Sequence, residues 1–279
     1  SWSLDQPSID GLNSYLIGLA ARQSVKVAVS GTGGDELFAG YPFFITMLTP
    51  EPSTGWLGLR PLMSRVLRKP CFDPLAISRL GYWLEGQRAR HGFLARYART
   101  QQLFGAMSSR YLSRELRSQM HSGRELSCDI RHQDELAQAG TLERVSALCL
   151  RGFTLNQLLR DIDCATMAHS LEVRVPFLDT KLVDISLSLP PWTKLDIGAR
   201  GNYGEFATYR DSGAKRILVD AAQPLLRPGL ADQPKRGFFV PVDAWLRGPL
   251  RDVLEDTLSQ SSLRRRGLWD VRNVLAVKN

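Results

Sequence analysis

The chain opens with apolar residues at helical spacing, followed by a short run that is typical of a strand. In residues 9–20 the apolar positions recur every three or four residues, which predicts a helix with Ser8 as its N-cap. Residues 25–29, Val-Lys-Val-Ala-Val, predict a buried strand that suits parallel pairing. A glycine-rich segment, residues 30–36, and the start of a second helix come next. This order is one repeat of an α/β layered fold, which binds ligands at the carboxyl ends of its strands.

The later pattern is mainly helical. Prolines and glycines interrupt residues 50–75, and residues 75–189 are rich in Leu, Ala, Arg and Gln. Pro190-Pro191 then opens a second irregular stretch. We therefore expect an α/β fold whose carboxyl-terminal part is mostly helical, with residues 1–50 ending the α/β part and residues 51–279 forming the helical remainder.

The net charge of +8 is concentrated in one part of the 279-residue chain. Residues 61–132 carry 13 basic and 5 acidic side chains, and all of the basic ones except Lys69 are arginines. A solvated helix face, a surface packed on an acidic domain and a site for an anionic partner would all give this pattern. Because a charge run alone indicates nothing specific, we favour the first two explanations and do not expect nucleic acid as a partner.

Other parts of the composition exclude several classes of protein. No apolar stretch approaches the about 18 residues of a membrane helix, and no secretory pattern opens the chain. The four cysteines and four histidines are scattered, without the spacing of a metal site. We therefore expect a cytoplasmic protein with reduced thiols and no membrane partner.

The glycine-rich segment is the first candidate for chemistry. Ser30-Gly31-Thr32-Gly33-Gly34-Asp35-Glu36 follows the predicted strand, and glycines let backbone N–H groups approach a bound anion. The segment lacks the Lys-Ser/Thr of a P-loop and the third glycine of the dinucleotide fingerprint. A structural turn capped by Asp35 explains it equally well.

Three segments together resemble the asparagine synthetase family. Residues 30–41, SGTGGDELFAGY, are similar to the family pattern SG-x-G-x-DE-x-F-x-GY. Residues 167–179, MAHSLEVRVPFLD, resemble MA-x-S-x-E-x-RVPFLD, and residues 234–241, PKRGFFVP, resemble PK-x-GF-x-VP. Because the segments occur in the family's order, the resemblance covers nearly the whole chain.

This resemblance implies a truncated ATP pyrophosphatase fold and a two-step reaction. A carboxylate, aspartate in the type enzyme, attacks the α-phosphate of ATP to give an acyl-adenylate and pyrophosphate. Ammonia from glutamine, hydrolysed by an N-terminal glutaminase domain that this sequence lacks, then displaces AMP to form the amide. The implied cofactors are ATP and Mg²⁺, and a homodimer is one expected assembly.

The resemblance also implies roles for particular residues. Asp35 is the candidate Mg²⁺ ligand, since Mg²⁺ is held by one or two carboxylates and substrate phosphates. Lys235 is the candidate charge stabiliser, with a plain surface lysine as the alternative. The candidate nucleotide contacts are Ser30, Gly31, Gly33 and Gly34.

The candidate substrate contacts have structural alternatives. Glu172 and Arg174 could contact the substrate or form a buried ion pair with each other. Arg160 and Asp163, spaced i and i+3 on one helix, could bind the amino and carboxylate groups of an amino acid or simply pair.

The sequence departs from the family in three places. Thr32 stands where relatives carry Glu, or Tyr in a β-lactam-forming relative, and Thr32 is therefore a candidate catalytic position that leaves aspartate specificity open. Cys164 stands where many relatives have Lys or Arg. The SGG-x-DS loop of an earlier strand is missing, and the chain begins with Ser1 rather than Met. We therefore expect a fragment of a longer protein that is inactive by itself.

Overall fold

The structure is a computed structural model and describes residues 4, 8–48, 93–101, 108–119, 135, 138–196, 208–234, 237 and 240–278. The chain divides into two compact units. The first comprises Ser1–Thr49 with Ser127–Val240, and the second comprises Pro50–Leu126 with Pro241–Asn279. The division that the sequence suggested, near residue 50, remains a prediction about domains.

The described elements are mostly helical, as expected. In chain order they are α1 (Ile9–Ala21), β1 (Val27–Val29), α2 (Gly34–Leu37), α3 (Pro42–Leu48), α4 (Phe93–Gln101), α5 (Ser108–Tyr111), α6 (Arg114–Gln119), α7 (Thr141–Cys149), a π-helical segment (Leu150–Leu158), α8 (Leu159–Met167), β2 (Glu172–Arg174), a 3-10 turn (Pro176–Leu178), α9 (Thr180–Ser188), α10 (Pro191–Lys194), α11 (Tyr209–Ser212), α12 (Arg216–Ala222), 3-10 turns (Gln223–Leu225 and Leu230–Asp232), α13 (Val242–Arg247), α14 (Arg251–Thr257), α15 (Gln260–Arg266) and α16 (Val271–Lys278).

The opening of the chain forms the predicted helix and strand, but the prediction that the strand is buried is wrong. Val27 and Val29 are exposed, because within the described residues only β2 pairs with β1. The Ser8 side chain accepts a hydrogen bond from the Gly11 N–H and caps α1. β1 is shorter than the predicted strand and pairs in parallel with β2, with Ala28 opposite Val173. The connection between two parallel strands must be long. Here the connection runs from residue 30 to residue 171 and includes α7 and α8.

Helix α8 and the π-helical segment before it contact the start of α1 through polar side chains. The Ser8 hydroxyl donates to the carboxylate of Asp161, and the Gln157 side chain donates to Asp10. Asp161 is buried, and its burial raises the pKa of its carboxyl group, with a smaller contribution from Asp10. The first turn of α1 is therefore fixed by a residue far along the chain.

A π-helical segment lies inside the long helical region between α7 and α8. The sequence predicts helix here but gives no sign of the wider turns. The Asn156 side chain donates to the backbone carbonyls of Arg151 and Gly152 within this segment. Within the described residues, no helix has the length and apolarity needed to cross a bilayer.

The second unit is helical. Residues at the end of α5 contact residues at the start of the last helix, α16. Leu112 forms an isolated antiparallel bridge with Trp269, and the Asp270 N–H donates to the Tyr111 carbonyl. The Asn273 side chain donates to the Arg110 carbonyl. These contacts tie residues 110–112 to the start of α16.

A lysine is fully buried in the first unit. Lys194, the last residue of α10, has no exposed surface, and no described residue accepts a hydrogen bond from its Nζ. Burial lowers the pKa of Lys194 to about 8, and the carboxylate of Glu143 opposes that shift only in part. Folding at neutral pH therefore includes the cost of burying an ammonium group.

Stability of the chain should consequently rise between pH 8 and pH 10 through Lys194. In that interval the unfolded lysine, with its ordinary pKa of 10.5, still binds a proton that the folded lysine has lost. We expect the wild-type free energy of unfolding to gain about 2 kcal/mol relative to that of Lys194→Met over this range. Urea unfolding of both proteins at each pH measures the difference. Parallel pH profiles would contradict the burial of a charged Lys194.

Candidate functional site

Residues 30–41, 167–179 and 234–241 are called the first, second and third signature segments below. The first two lie side by side in the first unit. β1 and β2 belong to these segments or lead directly into them, and their pairing continues beyond the strands, since the Ser30 N–H donates to the Arg174 carbonyl over 2.8 Å. The glycine-rich segment therefore starts at the carboxyl end of the two-stranded parallel sheet. In α/β folds this is the edge where ligands bind.

The glycine-rich segment, residues 30–36, forms a turn that is called the glycine turn below. This turn packs tightly on the second signature segment. Gly33 has a left-handed backbone, with φ of 98°, and a Cβ atom there would lie 2.6 Å from the Leu178 side chain. Phe177 lies against Gly33 and Gly34, and its ring meets that of Phe38 at 6.1 Å in a T-shaped arrangement. Gly33 is thus required both by its conformation and by its neighbours.

The other side of the same turn is open. A Cβ atom on Gly31 would meet no atom within 4 Å. The Thr32 N–H donates to the Ser30 hydroxyl, and the hydroxyls of Ser30 and Thr32 are 2.8 Å apart. Because the Gly34 N–H donates to the Gly31 carbonyl, that amide is used within the turn. Of the four predicted nucleotide contacts, Ser30 and Gly31 lie on the more accessible part of the turn, whereas Gly33 and Gly34 are buried.

Buried serines hold the backbone of α2 in place. The Ser146 hydroxyl, on α7, donates to the Glu36 carbonyl over 2.7 Å. The Ser186 hydroxyl, on α9, donates to the Leu37 carbonyl over 2.9 Å. Both hydroxyls are buried, and each satisfies a carbonyl that the short helix leaves without a helical partner. Sequence reasoning missed both serines, since nothing in the local pattern distinguishes them.

Glu36 has a structural environment that differs from that of its neighbour Asp35. The Glu36 side chain is buried and accepts a hydrogen bond from the Tyr41 hydroxyl over 2.9 Å. Burial raises the pKa of Glu36, and burial also raises the pKa of the Tyr41 hydroxyl, with the charge of Glu36 adding to it. Glu36 and Tyr41, both from the first signature segment, therefore form a hydrogen-bonded pair.

Asp35 is partly exposed and forms an ion pair. Its Oδ1 atom lies 2.8 Å from the Nζ of Lys215, a residue that immediately precedes α12. Gly40 closes around this pair, because a Cβ atom there would lie 1.8 Å from Asp35 Oδ1 and 2.4 Å from Lys215 Cε. Sequence reasoning missed Lys215. A single lysine at the start of a helix carries no local signal of such a contact.

Lys215 also borders a cavity of about 260 Å³. Its lining is mainly apolar and includes Phe177, Leu218, Val219 and Leu226. The methylene stem of Lys215 can pack along apolar side chains of this kind while its ammonium group reaches Asp35. The cavity therefore adjoins both the second signature segment and the ion pair.

The predicted substrate contacts on the second signature segment are exposed. Glu172 and Arg174 do pair, with Oε1 and Nε 2.8 Å apart, but their side chains are 56% and 66% exposed. The alternative of a buried ion pair is therefore wrong, because the two residues lie on the open face of β2, and a pair so exposed to water adds little to stability. Arg160 and Asp163 are exposed on α8, where the neighbouring Asp161 is the buried acidic residue.

The third signature segment is described only in part. Pro234 forms an isolated antiparallel bridge with Thr208 in the first unit. Lys235, the predicted charge stabiliser, lies outside the described residues, and so does most of the arginine-rich stretch, residues 61–132. Their predicted roles remain predictions.

The carboxylate of Asp35 is suited to serve as one ligand of a metal ion. Its carboxylate already attracts the Lys215 ammonium as a cation, and Gly40 leaves the space in which the two groups meet. Within the described residues, no group of three or more His, Cys, Asp or Glu side chains converges on a metal position. A magnesium ion at Asp35 would thus need oxygen ligands from a nucleotide or from other parts of the protein.

These features define a class of protein before they define a family. A parallel strand pair that ends in a glycine turn, with an acidic residue directly after it, is typical of α/β proteins that bind nucleotides. The chain matches the family model for asparagine synthase over residues 1–278, and it belongs to that family.

Curated relatives agree with this assignment. Asparagine synthetase (glutamine-hydrolyzing) 1 of Bacillus subtilis is 24% identical over 266 residues, covering 93% of this chain and 38% of the relative. A Mycobacterium bovis protein whose name also refers to glutamine-hydrolyzing asparagine synthetase is 29% identical over 262 residues, covering 88% of this chain and 35% of its own length. Amidase chyE of Penicillium rubens is 24% identical over 276 residues, covering 95% of this chain and 39% of the relative. The chain thus spans well under half the length of these relatives.

Proposed function

We propose that this chain is the later part of an ATP-dependent amide-forming synthetase domain with an ATP pyrophosphatase fold. The observation that carries the proposal is the meeting of the first two signature segments at one edge of a parallel strand pair. Family membership over residues 1–278 supports the same function. Chemistry of this kind needs a nucleotide-binding edge with an acidic group beside it, and Asp35 lies there.

The proposed reaction has two steps. A carboxylate oxygen attacks the α-phosphorus of ATP, and the bond from that phosphorus to pyrophosphate breaks. Ammonia derived from glutamine then attacks the acyl carbon, the bond to AMP breaks, and a proton leaves the nitrogen. Aspartate is the first candidate substrate, since two of the relatives are named for asparagine synthesis. Asparagine, AMP and pyrophosphate would be the products.

The residues of this chain would bind and orient the reactants. Gly31 offers open backbone to the nucleotide, and the Ser30 and Thr32 hydroxyls lie beside it. Asp35 would hold Mg²⁺, which supplies charge neutralisation for the phosphate groups when it is bound. Lys235 would stabilise charge on the phosphates, and Glu172, Arg174, Arg160 and Asp163 remain candidates for contacting the substrate.

A second candidate function differs only in the substrate. Thr32 brings a hydroxyl rather than a carboxylate to the turn, and that hydroxyl lies 2.8 Å from the Ser30 hydroxyl. A related ATP-dependent amide or lactam synthetase that acts on another carboxylic acid would accommodate this change. A non-catalytic module that binds nucleic acid is a remote alternative, and it predicts binding with a steep salt dependence.

ATP–pyrophosphate exchange tests the proposal, because exchange reports adenylation without ammonia delivery. The protein is produced at its full natural length and assayed with aspartate and then with a panel of other carboxylic acids; the 279-residue chain is assayed in parallel. We expect exchange that requires one acid in the natural protein and none in the 279-residue chain. Exchange with a different acid would keep the mechanism and change the substrate. A folded natural protein that is silent with every acid would contradict the proposal.

A further inference from the structure

The ion pair between Asp35 and Lys215 is the feature that the proposed reaction does not explain. Asp35 is the proposed metal ligand, yet its Oδ1 atom lies 2.8 Å from the Lys215 ammonium. A divalent cation bound to the same oxygen would be brought next to a positive charge. Two cations on one carboxylate oxygen repel each other, so the ammonium opposes metal binding at Oδ1.

The pair is built into the fold and is not a chance surface contact. The Lys215 side chain is only 14% exposed, whereas that of Asp35 is 37% exposed. The Lys215 backbone is left-handed, with φ of 55°, a conformation that is uncommon for a lysine. Its N–H donates to the Phe38 carbonyl, within the first signature segment. Backbone strain of this type often accompanies function.

The absence of a side chain at Gly40 leaves the space in which the pair lies. Gly40 lies so close that a side chain there would displace both the Asp35 carboxylate and the end of Lys215. The Gly40 N–H donates to the Asp35 carbonyl over 2.8 Å, which fixes the turn around the carboxylate. The adjacent acidic residue, Glu36, is bonded to Tyr41 and buried.

We propose that Lys215 is a positioning residue that competes with the metal for Asp35. Its ammonium holds the carboxylate beside Gly40 and leaves when a divalent cation binds there. Metal binding at Asp35 would then include the cost of separating the ion pair. This inference rests on the proposed function, because that function assigns the metal to Asp35.

Removal of the ammonium should therefore tighten metal binding. The test uses the full natural-length protein without nucleotide and follows Mn²⁺ as the probe, by the loss of the free-ion signal in electron paramagnetic resonance. We expect Lys215→Met to lower the half-saturating Mn²⁺ concentration by about two- to fivefold, the range expected for losing a partly exposed ion pair. Lys215→Arg, which keeps the charge, should stay near the wild type.

Further variants make the outcome specific to Asp35. The double variant Lys215→Met with Asp35→Asn should lose the tightened binding. Lys215→Asn provides a second test if the methionine variant folds poorly, because asparagine tolerates a left-handed backbone better than most residues. Unchanged or weaker Mn²⁺ binding in a folded Lys215→Met or Lys215→Asn protein would overturn the proposal, as would binding that does not depend on Asp35. A purely structural Lys215 would lower stability without tightening metal binding.

The measurement is independent of the reaction. Tightened Mn²⁺ binding together with no ATP–pyrophosphate exchange would support the competition and contradict the proposed function. Exchange that requires a carboxylate, together with Mn²⁺ binding that does not change when Lys215 is replaced, would support the proposed function and contradict the competition.

Discussion

Asp35→Asn should reduce carboxylate-dependent ATP–pyrophosphate exchange in the natural-length protein by about two to three orders of magnitude. The substitution keeps the shape of the side chain but removes the negative charge that would hold Mg²⁺, and a neutral amide is a poor ligand for this hard cation. Part of the loss should be recovered at high Mg²⁺ concentration, because the remaining ligands would come from the nucleotide. The measurement is the initial exchange rate over a series of Mg²⁺ concentrations.

Asp232→Asn is the matched control for this variant. The Asp232 carboxylate also accepts a short charged hydrogen bond, 2.9 Å from Arg210 Nε, but it is exposed and outside the three signature segments. We expect exchange within about twofold of the wild type for this control, since exposed ion pairs add little. An Asp35→Asn enzyme that keeps most of its exchange activity at low Mg²⁺ would argue against a metal at Asp35.

Local patterns in the sequence predict which elements form around the site, but they do not predict that β1 is exposed. Ser8 and the apolar spacing after it predict α1, and the Val-rich run before Ser30 predicts β1, because capping and periodicity are local properties. The family signatures indicate which segments belong to one site. The parallel pairing of β1 with β2 then brings the first two together.

Contacts between distant residues cannot be predicted in this way. Lys215 reaches Asp35, and Ser146 and Ser186 hold the carbonyls of α2, although no periodicity or motif marks these three side chains. The exposed Glu172–Arg174 pair shows the same limit, because the spacing predicts the partners but not the degree of burial. Burial depends on what packs over a strand, and that is a property of the tertiary structure.

The glycine turn itself can be tested by a graded series of alanine substitutions. Gly33→Ala combines a left-handed backbone with a Cβ atom 2.6 Å from Leu178, so both conformational strain and a clash oppose it. We expect the free energy of unfolding to fall by about 2–4 kcal/mol. Urea unfolding of the 279-residue chain, followed by circular dichroism, measures this loss.

Two other glycines separate the causes of that loss. Gly229 shares the left-handed backbone, with φ of 78°, but a Cβ atom there has no neighbour within 4 Å. Gly31 has neither feature, although it belongs to the same turn as Gly33. Gly229→Ala should cost about 1 kcal/mol from strain alone, and Gly31→Ala should stay within about 0.5 kcal/mol of the wild type. If Gly33→Ala costs no more than Gly229→Ala, Leu178 moves aside and the two signature segments are less tightly packed than their contacts indicate.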